Sequence, residues 1–111
     1  MTREYLDYII NDVFKDIEDI TSKAMFGGYG IYKNQVIFAI IVDSELFFKV
    51  GPQNRADFKL YDSHPFIYER KGKKIAMSYW TLPEEIMNDE ERLQVWIDRA
   101  VEVSLESKKV G

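Results

Sequence analysis

The sequence predicts an α+β domain in which helices pack on one mainly antiparallel sheet, in the order α-βββ-α-ββ-α. Amphipathic helical patterns lie at both ends of the chain, and five short apolar segments separated by brief polar turns lie between them. Strands that follow one another through short turns pair antiparallel, and amphipathic helices bury their apolar stripes against the sheet. The 111 residues fit one domain, 1–111, with a five-stranded sheet in a two-layer architecture.

The two long helices are predicted from apolar residues at helical spacing. The first helix has its apolar face on Leu6, Ile9, Ile10, Val13, Phe14 and Ile17. The last helix begins near Asn88 or Asp89, where acidic residues favour the positive end of the helix dipole. Its predicted core face consists of Leu93, Trp96, Ile97, Ala100, Val101 and Leu105.

Between these helices the apolar segments predict the strands and a short helix. The strands are predicted at 25–32, 36–42, 46–50, 66–69 and 75–80, and the short helix at 53–60. The second strand is apolar on both faces, so we expect it to be central and to bring Phe38 into the core. Leu6, Phe14, Trp96 and Ile97 are expected to share that core. Thr81 followed by Glu84 resembles a capping box that opens a helical turn.

Three glycines, Gly27, Gly28 and Gly30, interrupt the first strand in the run MFGGYGIY. A glycine inside a strand pattern marks a bulge, a bend or a close backbone approach, because it has no Cβ. We therefore expect a kinked strand with structural glycines. Gly28 or Gly30 should adopt a backbone conformation that is costly for any residue with a Cβ.

The composition excludes several classes of function. The chain has no cysteine, which removes disulfides, thiol nucleophiles and cysteine zinc sites, and it has a single histidine. The N-terminus lacks the pattern of a secretory signal, and the longest apolar run, Val36–Val42, is shorter than the about 20 residues of a membrane span. We expect a cytoplasmic protein without membrane association, metal or cofactor.

The strongest electrostatic feature is the predicted turn between the last two strands. Its cations are Arg70, Lys71, Lys73 and Lys74, and Lys49 and Arg55 are further candidates for the same interaction surface. Such a cluster can contact phosphate or an acidic partner. The alternative is a solvated turn whose lysines discourage edge-to-edge aggregation. The net charge of −4 and the isoelectric point near 5.0 disfavour nucleic acid as the partner.

The sequence contains no recognisable catalytic motif. Gly28 and Gly30 are not followed by a glycine at position 33 or by a helix, so a dinucleotide-binding fingerprint is not met. Asp62, Ser63 and His64 are the residue types of a hydrolase triad, but neighbours within one loop rarely reach the geometry of a proton relay. We therefore expect a non-enzymatic protein with no catalytic residues.

Several segments together resemble the N-terminal domain of the TfoX (Sxy) family of bacterial competence regulators. They are MFGGYGIY, VIFAIIVD, ELFFKV, NRADF, PFIYERKGKKIAMSYW and LPEE, in this order and spacing, and they cover nearly the whole chain. The resemblance implies an α+β fold likened to secretion chaperones, with one antiparallel sheet and flanking helices. It also implies a role in promoting the expression of DNA-uptake genes, and it implies no catalytic residues. The family's competence regulators carry a second, helical C-terminal domain.

Three functions remain open at this point. The first is a regulatory protein-interaction domain with a protein partner and the option of a homodimer. The second is direct nucleic-acid binding through the basic tip. The third is a small-ligand-binding domain with an aromatic pocket near Tyr29.

Overall fold

One antiparallel sheet organises the chain in the computed structural model, which describes residues 2–25 and 27–110. Its six strands are β1 (Ile20–Met25), β2 (Gly28–Lys33), β3 (Val36–Val42), β4 (Glu45–Lys49), β5 (Pro65–Arg70) and β6 (Lys73–Thr81). Their order across the sheet is β1-β2-β3-β4-β6-β5, and all neighbouring pairs are antiparallel. The α+β class is confirmed, while the predicted count of five strands is wrong by one.

Four helices of the described residues accompany the sheet. They are α1 (Thr2–Tyr8), α2 (Arg55–Lys59), α3 (Glu84–Met87) and α4 (Glu90–Val110). A π-helical turn, Ile9–Val13, follows α1, and the Phe14 N–H donates to the Ile9 carbonyl at 2.8 Å. A π turn brings residues five apart onto one face, which is how Ile9 and Phe14 are both buried. Among the described residues, no helix has the length and apolar character to cross a membrane.

The core lies between one face of the sheet and the helices. Leu6, Phe14, Phe38, Trp96 and Ile97 all belong to this single cluster, as the sequence predicts. Its centre is aromatic, with the Phe38 and Phe48 rings 5.4 Å apart and the Phe14 and Phe38 rings 5.9 Å apart between centroids. The two outer helical segments of the chain therefore meet on the same side of the central strands.

The strand that the sequence analysis missed is the edge strand β1. Its residues ITSKAM are mostly exposed, and only its two ends are half-buried, so it lacks the apolar signal of a half-buried strand. The predicted first strand, 25–32, is in fact the end of β1, a turn and β2, and its residue Phe26 lies outside the described residues. Backbone pairing with β2, rather than side-chain pattern, places β1 in the sheet.

The conformational role expected of Gly28 or Gly30 belongs to Gly27 instead. Gly27 has a φ of +72° in the β1–β2 turn, whereas neither Gly28 nor Gly30 has a positive φ. Gly28 has a different constraint, because a Cβ there would collide with the backbone carbonyl oxygen of Ile41 on β3. The three glycines thus serve a turn, a close strand approach and, at Gly30, side-chain packing.

The apolar face of α4 ends differently from the prediction. Leu105 is 43% exposed, while Val103 and Ser104 are buried. The end of α4 contacts the loop after β4, because a Cβ added to Gly51 would lie 2.7 Å from Val103 Cγ1. This loop contact covers Val103.

The predicted capping box is also wrong. Thr81 is the last residue of β6, and Pro83 occupies the N-cap position of α3 without a side-chain hydrogen bond. Strand pairing between Thr81 and Phe47 retains Thr81 in the sheet. The predicted start of the last helix is close to the observed one, since the Asp89 carboxylate accepts a hydrogen bond from the Arg92 N–H at 3.2 Å and α4 begins at Glu90.

Candidate functional site

The face of the sheet opposite the helices, called the open face below, carries a second set of apolar side chains. Paired residues of neighbouring strands point to the same side of a sheet. One row across the open face consists of Lys23, Gly30, Ile40, Phe47 and Thr81. Ile40 is half-buried, and Phe47 is buried with its ring 5.3 Å from Phe66 on β5. Apolar surface is therefore present on both sides of the sheet.

A concave cavity of about 540 Å³, called the groove, lies on the open face. Its walls come from β2, β3, β5 and β6, together with Met25 at the end of β1. Ile37, Ile40 and Met77 contribute aliphatic and thioether surface to it. Apart from the tyrosine hydroxyls, Arg70 is the one polar side chain among the described lining residues. The groove is thus an apolar site with a cation at its margin.

The glycines of β2 form part of the groove and of the strand beneath it. Gly28 lines the groove directly. A Cβ added to Gly30 would lie 3.0 Å from Met25 Sδ and 3.2 Å from Ile37 Cδ1. The missing side chains leave room for Met25 and Ile37 to lie over β2. The sequence pattern that marks the kinked strand therefore also provides space on the open face.

The hairpin of β5 and β6 reaches over the open face. Only the end of β6, from Tyr79 to Thr81, pairs with β4, so the rest of the hairpin extends beyond that ladder. Arg70 of this extension nevertheless lines the same groove as Gly28, which lies towards the opposite end of the sheet. The hairpin must therefore curl across the open face. Lys71 and Gly72 both have positive φ, 53° and 78°, which is the backbone of a two-residue type I′ hairpin turn.

The polar groups at the edge of the groove are donors. Burial raises the pKa of Tyr79 to about 12, with a smaller contribution from the nearby Tyr32, so its hydroxyl stays protonated. The Lys49 ammonium lies 5.1 Å from the centroid of the Tyr79 ring and donates to Ser78 Oγ at 2.8 Å. Partial burial lowers the pKa of Lys49. This edge of the open face is thus cationic and aromatic.

The predicted interaction residues do not all lie together. Arg70 pairs with Lys73 on the side of the hairpin that faces the groove, whereas Lys74 pairs with Glu69 on the other side. Lys71 lies in the turn, and Arg55 lies at the start of α2, on the helix-covered side of the sheet. Among the described residues, no ion pair involves the cations of the hairpin tip.

The loop that contains Asp62, Ser63 and His64 uses its polar atoms for structure. The Ser63 hydroxyl donates to the Thr81 carbonyl at 2.6 Å, and Nδ1 of His64 lies 3.3 Å from the carbonyl oxygen of Pro65. Within the described part of the chain, no hydrogen bond connects Ser63 with His64. These contacts attach the loop to the end of β6.

The sequence predicts a pocket near Tyr29 but does not predict most of the walls of the groove. Tyr29 does border the groove, although it also packs against the helix-covered core. The apolar character of β3 on both faces predicts a central strand. That pattern, with Met77 and Tyr79 on one face of β6, is the signal that could have located the groove.

The sheet with its helices on one face and a groove on the other defines a small two-layer α+β domain. The family model of the TfoX N-terminal domain matches residues 12–104, which span all six strands, α2, α3 and most of α4. The chain therefore belongs to the TfoX N-terminal domain family, and the resemblance found in the sequence is confirmed. No curated protein matches the chain.

Proposed function

We propose that this domain is a non-enzymatic regulatory module of the cytoplasm that binds a protein partner through its basic hairpin tip. Membership of the TfoX N-terminal domain family supports a role connected with competence and transcription regulation. The observation that carries the proposal is the tip itself: its cations project from a tight turn and have no ion-pair partner among the described residues.

The charge distribution favours a partner that presents carboxylates. The chain has 19 acidic and 15 basic residues, and several of its other cations are already paired, as Arg99 is with Asp57 at 2.7 Å. Arg92 is paired with both Glu85 and Asp89. Lys71, Lys73 and Lys74 are therefore cations available for an intermolecular contact, and a turn can bring them to a partner without disturbing the core.

Nucleic acid is the second candidate, favoured by the aromatic side chain of Tyr68 close to these cations. The net negative charge opposes it, because binding to phosphates depends on a cationic surface that releases counterions. The two kinds of partner differ in how steeply the binding affinity falls as the salt concentration rises. Binding to DNA would be strong at low salt and would weaken steeply as salt increases.

The experiment compares two triple variants of equal charge change. Lys71, Lys73 and Lys74 are replaced by Ser in one, and Arg3, Lys15 and Lys59 on the helix-covered side are replaced by Ser in the other. Partners captured by the wild-type chain are identified, and the affinity of each is measured by calorimetry. We expect the tip variant alone to lose binding by about tenfold or more, with its melting temperature unchanged.

The same proteins are titrated with labelled duplex and single-stranded DNA at low and high salt. Salt-sensitive DNA binding that the tip variant loses would replace the protein partner with nucleic acid. Equal partner affinity in the wild type and the tip variant would contradict the proposal and leave the hairpin tip as a solvated turn.

A further inference from the structure

We propose that the groove is a binding site for a small amphipathic anion, a molecule with an aliphatic or aromatic body and a carboxylate or sulfonate head. The body would lie on the apolar walls of the open face, and the head would pair with Arg70. This ligand site is separate from the proposed protein contact, which uses Lys71, Lys73 and Lys74. Either proposal can fail without the other.

The size and walls of the groove fit the body of such a molecule. Small-molecule sites are concave, mostly apolar and about 300–1,000 Å³ in volume, and the groove has about 540 Å³. Its lining includes Ile37, Ile40 and Met77, none of which is needed to close the helix-covered core. Methionine and isoleucine side chains adapt their shape to an apolar ligand, and removing such a ligand from water is favourable.

The charges around the groove specify an anion and not a cation or a neutral lipid. Arg70 is exposed, lines the groove and forms no ion pair with any described residue. No carboxylate is found among the described lining residues. A guanidinium offers a planar pair of donors that matches a carboxylate or sulfonate, and such charge-assisted hydrogen bonds are the strong ones.

The tyrosines of the groove support the same polarity. Tyr79 keeps its hydroxyl proton throughout the neutral range, because burial raises its pKa to about 12. Its hydroxyl can therefore donate to an acceptor and adds no negative charge to the site. Lys49 lies beside Tyr79 and adds a second cation at that edge. An anionic head group can accept hydrogen bonds from these groups, whereas Arg70 and Lys49 would repel a cationic head group.

The test uses decanoate as the probe and 1-decanol as its neutral counterpart. Methyl NMR spectra of the full chain are recorded during both titrations, below the concentration at which decanoate forms micelles. We expect decanoate to shift the methyl signals of Ile37, Ile40 and Met77 and to leave those of Ile97 in the core unchanged. Decanol should bind about tenfold more weakly, because it lacks the head that pairs with Arg70.

Two matched pairs of variants test where the head group and the apolar body of decanoate bind. Arg70→Gln should weaken decanoate binding about tenfold, whereas Lys74→Gln, the same charge change on the other side of the hairpin, should have no effect. Met77→Glu should abolish binding, whereas Ala76→Glu, which lies on the opposite face of β6, should retain it. Near-ultraviolet circular dichroism checks that both members of each pair are folded.

Three outcomes would overturn the proposal. If decanoate shifts none of the methyl signals of the groove, the groove is not the proposed binding site. Equal affinity for decanoate in the Arg70→Gln and Lys74→Gln variants removes the anion-pairing role of Arg70. Intermolecular contacts between groove methyl groups in the free protein would assign the open face to a second copy of the chain. Vesicles containing anionic lipid form a further arm: binding to vesicles without binding to free decanoate would assign the surface to a membrane.

Discussion

The two faces of the sheet carry similar apolar side chains, but helices cover only one of the faces. Adjacent rows across the strands make the comparison direct. The row under the helices is Ser22, Ile31, Ala39, Phe48 and Trp80, and the row on the open face is Lys23, Gly30, Ile40, Phe47 and Thr81. Ile31, Ala39 and Phe48 are fully buried, whereas on the open face Phe47 is buried against Phe66 of the hairpin and Ile40 is only half-buried.

This difference shows that apolar composition alone does not distinguish stabilising surface from binding surface. Side chains on the helix-covered face are removed from water by α1 and α4, so their burial contributes to folding. Ile37, Ile40 and Met77 of the groove remain partly exposed to water in the free chain, so their burial contributes when a ligand binds. Substitutions on the two faces should therefore change different measured quantities.

The largest effect is expected for Trp96→Ala on the helix-covered side. The Trp96 ring lies 4.6 Å from Phe58 and 5.8 Å from Tyr61 between centroids, so its loss leaves a cavity that several aromatic neighbours border. The free energy of unfolding, measured with urea, should fall by about 3–5 kcal/mol. Met77→Ala in the groove is the matched comparison and should cost about 1 kcal/mol or less. Similar losses in both variants would remove the distinction between the faces.

The second prediction concerns Gly28, which lines the groove and closely approaches the backbone of β3. Gly28→Ala should lower the free energy of unfolding by about 1–3 kcal/mol, because its Cβ would collide with the Ile41 carbonyl oxygen and force β2 away from β3. Gly72→Ala is the control: its φ is +78° but no atom lies within 4 Å of an added Cβ. It should cost about 1 kcal/mol through backbone conformation alone. The two melting curves separate collision from conformational strain.

The third prediction tests how the helix-covered side accommodates a buried polar group. The Asn54 amide accepts a hydrogen bond from the Gly51 N–H at 2.8 Å and donates to the Lys49 carbonyl at 3.1 Å, fixing the chain where it leaves β4. Asn54→Ala should cost about 1–2 kcal/mol, since it leaves both backbone groups without this partner. Gln53→Ala, at the exposed neighbour, should remain within about 0.5 kcal/mol of wild type. An unchanged unfolding midpoint for Asn54→Ala would show that water replaces the amide.

The helix-covered face was the more predictable of the two from sequence. Helical periodicity reports which side chains point inward, and Leu6, Phe14, Trp96 and Ile97 were all assigned correctly to the core. The error at Leu105 occurs at the end of α4, where the helix contacts the loop after β4. The helical periodicity of apolar residues carries no information about where that loop lies.

The open face and β1 were less predictable for a physical reason. β1 is held in the sheet by backbone hydrogen bonds to β2. Its side chains are mostly exposed, so they show no apolar pattern that would reveal the strand in the sequence. The groove depends on the hairpin curling over β3, and the twist of a sheet is a property of all its strands together. The cluster of four cations around one turn is visible in the sequence, but the groove-facing position of Arg70 depends on register.

The smallest effect is expected for a pair of surface carboxylates on the helix-covered side of the sheet. Asp16 follows the π-helical turn, and its carboxyl group lies close to that of Glu90 at the start of α4. The pKa of Glu90 is raised by Asp16, which can accept a hydrogen bond from the protonated carboxyl and repels the ionised one, and the nearby Lys15 partly offsets this rise. A carboxyl whose pKa is higher in the folded state contributes stability below its unfolded pKa, and that stability is lost as the pH rises through the folded value.

Removal of this repulsion should therefore stabilise the fold at neutral pH. Asp16→Asn should raise the melting temperature slightly near pH 7, and the gain should disappear as the pH falls below the ordinary glutamate pKa of about 4.3. Asp16 is the better position to change, because Glu90 also interacts favourably with the helix dipole at the start of α4. Asp12→Asn, an exposed carboxylate on the π-helical turn, is the control for net charge. A gain of equal size in both variants would indicate a general effect of the chain's negative charge, and a gain that persists at acidic pH would exclude the Asp16–Glu90 pair as its source.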